Sequence, residues 1–212
     1  MFFDAYFFDF DGTIGDTESD IRQAWLSALE KHGLPEGDFD KIFRVGPSIQ
    51  ETSAMLFPEE TTDFQVMMQN TYKSFYDDGD DYQALPYPGI IELFDQLCRA
   101  GKKTYIVTNK RIKPLKKLVD KFGLTGVCHG IFSPDIVDTG NHIKKTELLA
   151  LALRVSGSSP ERSLMIGDTE IDICAGKSCG MKTCAVTWGY RTAEILRQTE
   201  PDWLVDSAEQ IP

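Results

Sequence analysis

The chain has 212 residues, 42% hydrophobic and 26% charged, with a formal net charge of −11. That length suits one α/β domain carrying an insertion and is short for two independent domains, and the composition is that of a globular chain, not a disordered or repetitive one. The negative charge argues against a nucleic-acid polymer or a membrane surface as partner, since both need a cationic footprint, and no stretch approaches the roughly 20 apolar residues of a membrane-spanning helix.

The N-terminus is interrupted by Asp4 and Asp9 and lacks the basic and continuous apolar regions of a signal peptide, so the expected location is cytoplasmic. The five cysteines show no CxxC pairing, and Cys174, Cys179 and Cys184 stand five apart. They read as small buried apolar residues and not as a zinc site or a disulfide framework.

In chain order, residues 5 to 10 ("AYFFDF") predict a fully buried strand, a short aromatic-rich run bounded by Gly12. Thr17 with Asp20 three residues later resembles a capping box, and Ile21, Ala24, Trp25, Ala28 and Leu29 share one helical face up to Gly33. Helical patterns follow at 47 to 57, with Pro47 near the first turn, and at 61 to 77. In the second of these, Phe64, Met67, Met68, Tyr72, Phe75 and Tyr76 make a core-facing stripe.

At "LPYPGI" the pattern changes to alternating helices and strands. Helices are expected at 89–100, 111–122, 145–155, 170–179 and 192–198. Strands are expected at 103–108, 130–133, 163–167 and 182–187, with a last one near "WLV". Such alternation implies right-handed crossovers and a Rossmann-like, mainly parallel sheet covered by helices on both faces. Residues 1–15 and 84–212 then form an α/β core, and 16–83 an inserted all-helical domain.

Ligands of such sheets bind beyond the carboxyl ends of the strands. The residues placed there are Asp9, Asp11, Gly12 and Thr13; Thr108 and Asn109; Lys144 and Lys145; and Gly167, Asp168, Thr169 and Asp172. Asp9 and Asp11 are two apart, so they converge if extended geometry persists that far. Burying carboxylates at the end of so apolar a run requires compensation. Three hard carboxylates at close quarters suit Mg²⁺, with water and a substrate phosphate completing its shell. Thr108, Asn109, a lysine and backbone N–H groups near Gly12 can donate to phosphate oxygens. Lys145 is preferred to Lys144, because Leu148, Leu149 and Ala152 share its face.

"DFDGT", "VTN", a lysine opening a helix and "IGDTEID" occur in the order of the haloacid dehalogenase superfamily, and the chain resembles its phosphoglycolate-phosphatase-like branch. "RVGPSI", "LPYPGI", "KTELLALAL" and "VTWGY" extend the resemblance over nearly the whole chain. It implies a Mg²⁺-dependent phosphatase with a helical cap, acting on a small phosphorylated metabolite. Asp9 would be the nucleophile that forms an aspartyl-phosphate, and Asp11 the general acid and base. The side chains of Asp9 and Asp168 and the backbone carbonyl of Asp11 would hold Mg²⁺. Gly12, Thr108, Asn109 and Lys145 would bind phosphate, Asp172 would orient the lysine or a metal-bound water, and Arg44 would contact the remote end of the substrate.

Two positions depart from the branch. Gly15 replaces a larger apolar residue, which would loosen the passage into the cap, and Arg191 follows "WGY" where glycine is common. His32, His129 and His142 show no ligand spacing and read as loop or surface residues. A phosphomutase shares every core residue named, a dehalogenase needs neither Asp11 nor a metal, and a phospho-accepting signalling domain needs no inserted cap.

Overall fold

The run Ala5–Phe8 forms strand β1, and every side chain in it is buried because both faces of the strand are covered. The computed structural model describes residues 2–136 and 143–212. Tyr6 and Phe8 face one hydrophobic cluster, while Ala5 and Phe7 face another. This period-2 division is what an interior strand imposes. Burial of each ring contributes about 2–3 kcal/mol.

After β1 come a two-residue strand β2 (Gly15–Asp16), then helices α1 (Glu18–Lys31), α2 (Phe39–Ile42), α3 (Ile49–Leu56) and α4 (Thr62–Tyr76), and strand β3 (Leu85–Pro86). The alternating half follows: α5 (Ile90–Arg99), β4 (Lys103–Val107), α6 (Ile112–Lys121), β5 (Gly130–Phe132), α7 (Lys145–Ser156), β6 (Ser163–Gly167), α8 (Glu170–Ser178), β7 (Lys182–Val186), α9 (Ala193–Gln198) and β8 (Trp203–Val205). Six strands make one sheet in the order β5-β4-β1-β6-β7-β8, and every pairing in it is parallel. Leu93, Phe94 and Leu97 of α5 and Leu115 and Leu118 of α6 pack in the cluster of Tyr6 and Phe8. Leu148, Leu149 and Ala152 of α7 pack in that of Phe7.

β1 pairs with β4 on one side and β6 on the other. The strand order reverses at β1, and a parallel sheet opens a crevice at the carboxyl end of such a strand. This is what brings the residues after Phe8 to the bottom of a cleft.

The helical segment leaves the sheet through β2 and returns through β3. These pair antiparallel, Gly15 with Pro86 and Asp16 with Leu85, a ribbon too short to have been visible as sequence pattern. The expected capping box at Thr17 is absent: Thr17 makes no side-chain cap on α1. Its partner in that reading, Asp20, instead accepts the backbone N–H groups of Gln83 and Ala84, both at 2.9 Å, fastening the returning chain to α1.

Trp25 of α1 stacks on Tyr72 of α4, with ring centroids 4.5 Å apart. Of the stripe expected to be core, Met68, Tyr72 and Tyr76 are buried, whereas Met67 and Phe75 are exposed. The residues at i, i+4 and i+8 form the inner face, and those one position earlier turn outward by about a quarter of a turn. The cysteines also differ from expectation: Cys184 is buried, but Cys98 and Cys174 are exposed, and all five are free thiols.

Gly15 leaves no loose passage. A Cβ there would meet Cε2 of Phe122 at 2.8 Å, so the ring of Phe122, stacked on Phe10, occupies the volume a larger side chain would take.

Candidate active site

The chain leaves the sheet after Phe8 still in register, since the Asp9 N–H donates to the Ile166 carbonyl at 2.9 Å. It then turns sharply at Gly12, whose φ of 83° lies in the left-handed region. A Cβ at Gly12 would lie 2.3 Å from Oδ2 of Asp168, so glycine is what lets the two loops meet. The Gly12 N–H donates to the Gly15 carbonyl at 2.9 Å. Gly12 therefore contributes clearance, and its own N–H is taken.

Asp9, Asp168 and Asp172 each offer one carboxylate oxygen, and these lie within 4.8 Å of one another, all three residues buried. Lys145, at the first turn of α7, reaches into them with Nζ 2.6 Å from Asp9 Oδ1 and 2.9 Å from Asp172 Oδ1. It is buried, while Lys144 is exposed. Asp172 uses its other oxygen to cap α8, accepting from Thr169 N–H at 3.1 Å and Thr169 Oγ1 at 2.6 Å. Asp168 accepts from Thr13 Oγ1 at 3.2 Å and from the Tyr190 N–H at 2.8 Å.

The charges in this cluster do not balance. Burial, only partly opposed by Lys145 and reinforced by Asp172 and Asp11, pushes the Asp9 carboxyl up to about 7. Burial, with Asp172 and Asp9, holds Asp168 well above the usual carboxylate range. Burial disfavours charge on Lys145, but Asp172 and Asp9 outweigh it and raise its pKa. Three buried carboxylates around one ammonium, with Asp172 Oδ1 lacking a hydrogen bond of good geometry, are a donor set that fits a hard divalent cation.

The Asp11 carboxylate is not part of that cluster, because β1 ends at Phe8 and the extended geometry does not persist. Its Oδ1 accepts from Thr17 Oγ1 at 2.6 Å and Lys110 Nζ at 2.8 Å. Here the hydroxyl of Thr17 finds its use, and the Thr17 N–H donates to the Tyr190 hydroxyl at 2.8 Å. Lys110, Thr17 and Tyr190 were given no site role from sequence. Lys110 directly follows "VTN" and Tyr190 closes "VTWGY", but their partners lie far along the chain, where local spacing says nothing.

Thr108, at the end of β4, is buried, and its Oγ1 accepts the Lys110 N–H at 3.1 Å. Asn109 Nδ2 donates to the Gly46 carbonyl of the helical segment at 3.0 Å, leaving its buried Oδ1 without a partner among the described residues. Arg44 is exposed, lines the cavity and donates to its neighbour's carbonyl at Phe43. Arg191 pairs with Glu170 at 3.0 Å and reaches the Val45 carbonyl at 3.4 Å, a second bond from the core to the loop after α2. A cavity of about 60 Å³ lies between Asp9, Asp11, Thr108 and Asn109 below and residues such as Trp25 and Tyr72 above. His32 bonds Thr71, and His129 accepts from the Thr104 N–H; His142 lies outside the described residues.

The family model for haloacid dehalogenase-like hydrolases matches residues 6–186. The chain belongs to the haloacid dehalogenase-like hydrolase family. It is 32% identical to the pyrophosphatase PpaX of Bacillus velezensis, over 98% of this chain and 94% of that one. It is 30% identical to the phosphoglycolate phosphatase of Aquifex aeolicus, over 86% and 84%. Among solved structures, a predicted phosphatase from Clostridium acetobutylicum superposes with a TM-score of 0.88 at 21% identity, covering all of this chain and 97% of the other, which shows the shared fold. Among the described residues, no helix is long and apolar enough to cross a membrane.

Proposed function

We propose that this hydrolase is a Mg²⁺-dependent phosphatase that cleaves a small phosphomonoester through an aspartyl-phosphate on Asp9. The observation that carries this reading is the buried convergence of Asp9, Asp168, Asp172 and Lys145 at the carboxyl edge of the sheet, where the strand order reverses. Carboxylates so placed are poorly explained by stability alone, since burying them opposes folding.

In this reading Asp9 attacks phosphorus in line, and Asp11 gives a proton to the departing alcohol. Asp11, now a carboxylate, then takes a proton from the water that hydrolyses the intermediate. Lys145 draws charge from the transferring oxygens, held in place by Asp172. Thr108 and the second amide hydrogen of Asn109 bind the same oxygens, with the Gly12 turn leaving room for them. The side chains of Asp9 and Asp168, with the backbone carbonyl of Asp11, would hold Mg²⁺, which would supply the positive charge that lets a carboxylate approach a phosphate anion.

Residues 16–83 serve as the cap, with the β2–β3 ribbon as its base, and the closed cap excludes bulk water. The small cavity suits a compact leaving group, and Arg44 is placed at its rim for the remote end. Phosphoglycolate, a phosphomonoester, and pyrophosphate, an anhydride that presents the same phosphoryl group, are named for the two relatives and are the first substrates to test. Five free thiols fit a reducing, cytoplasmic compartment.

With p-nitrophenyl phosphate as substrate, Asp9→Asn is expected to abolish phosphate release while keeping the native circular dichroism. EDTA should abolish it in the wild type, and Mg²⁺ should restore it. Retained turnover in Asp9→Asn contradicts the assignment.

A further inference from the structure

Lys110, unlike Lys145, makes no contact with the cluster of Asp9, Asp168 and Asp172 among the described residues. Its side chain is 2% exposed, and its ammonium lies 2.8 Å from Asp11 Oδ1, itself on a carboxylate only 12% exposed. The ammonium also donates to the hydroxyl of Tyr76, at the last turn of α4, and sits 4.6 Å from the centre of that ring. Phe10 flanks it at 5.9 Å. Lysine is strongly hydrated and seldom fully buried, so a lysine enclosed by two aromatic rings and one carboxylate is a built arrangement.

Only one oxygen of Asp11 is held by it. Oδ1 receives Thr17 Oγ1 from the entrance of the helical segment and Lys110 Nζ from the core. Oδ2 makes no hydrogen bond among the described residues, and Asp11 lines the cavity. Two donors on Oδ1 fix the rotamer and leave Oδ2 as the oxygen on which a proton can reside. When the P–O bond of the substrate breaks, that proton passes from Oδ2 to the leaving oxygen, and the charge left on Asp11 is met by Lys110 without reorganisation.

Tyr76 belongs to the helical segment and Lys110 to the core. The grip on Asp11 is therefore complete only while the two are packed together. We propose that Lys110, seated by Tyr76 of the helical segment, is a positioning residue that presents Oδ2 of Asp11 to the leaving group. This rests on the reading of Asp11 as the proton donor.

Leaving-group chemistry tests it. p-Nitrophenolate departs without a proton, whereas an alkoxide needs one, so loss of a positioned acid falls selectively on alkyl phosphates. General acids contribute about 10²–10⁴-fold. Steady-state kcat/KM, which reports formation of the aspartyl-phosphate and not its later hydrolysis, would be measured on p-nitrophenyl phosphate and on whichever of phosphoglycolate and glycerol phosphate the wild type turns over faster, for Asp11→Asn, Lys110→Met and Tyr76→Phe. Lys110→Met is expected to lose at least about tenfold more on the alkyl phosphate than on p-nitrophenyl phosphate, and Tyr76→Phe to show the same bias more weakly.

Tyr76→Phe keeps the ring and deletes only the hydroxyl. It carries the comparison should Lys110→Met not fold. Equal losses on both substrates in these variants, with Asp11→Asn still selective, would overturn the role of Lys110 alone. Equal losses in Asp11→Asn would refute Asp11 as the acid, and the inference with it.

Discussion

Asp9 sits where its charge is least welcome, enclosed with Asp168 and Asp172 and facing one ammonium. A carboxyl whose folded pKa is raised opposes folding once it ionises: the folded state binds the more protons between its unfolded value and about 7, so stability falls as pH rises through that window. Asp9→Asn removes that charge. In EDTA at pH 8 the variant is expected to be more stable than wild type by a few kcal/mol, with a higher Tm. The gain should fade as pH falls towards the unfolded value of 3.8 and vanish below it, where Asp9 is protonated in both states. Mg²⁺ should stabilise the wild type more than the variant. Differential scanning fluorimetry over pH and metal reads all three, and a variant less stable than wild type in EDTA at pH 8 would contradict the charge imbalance.

At the scale of elements, α6 and Arg111 just before it carry two kinds of ion pair to the chain that returns from the helical segment. Arg111 Nε lies 2.6 Å from Asp77 Oδ2, and the Asp77 side chain is only 7% exposed, with Oδ1 unpartnered among the described residues. Lys113 with Asp78, and Lys117 with Asp80, are pairs with at least one largely exposed partner. Removing one partner of a buried pair strands the other, whereas exposed pairs contribute little. Arg111→Ala should therefore cost about 2–3 kcal/mol in urea denaturation and Lys113→Ala under about 1 kcal/mol, with only the latter's small effect lost in high salt. Equal costs would mean that burial does not separate these pairs.

The elements themselves were largely legible because their signals are local. "AYFF" reads as an interior strand by composition, and Leu148, Leu149 and Ala152 placed Lys145 on an inward face. α2, with four residues, and the two-residue strands β2 and β3 were too short to leave a period. Thr17 followed local logic as a helix cap, but a buried carboxylate six residues earlier competes more strongly for its hydroxyl. Lys110 was beyond reach of spacing, since its partner Asp11 lies 99 residues away.

For the whole molecule, the reversal of strand order at β1 decides where chemistry can occur. It sets the ends of β1, β4 and β6 side by side, and the inserted helices lie over them. Asp9 comes from the first of these strands, Thr108 from the second, Asp168 from the third, and Lys145 from the helix between. The acids converge because the topology brings separate strand ends together, and in the proposed reading a divalent cation among them would relieve their repulsion.

The most direct test is a crystal structure grown with Mg²⁺ and beryllium fluoride, a mimic of a carboxylate-bound phosphoryl group. The account predicts fluoride density joined to the Asp9 carboxylate, an ion between Asp9 and Asp168, and Lys145 and Thr108 on the fluorine atoms. Beryllium fluoride attached to another residue, or an ion bound away from Asp9 and Asp168, would contradict it.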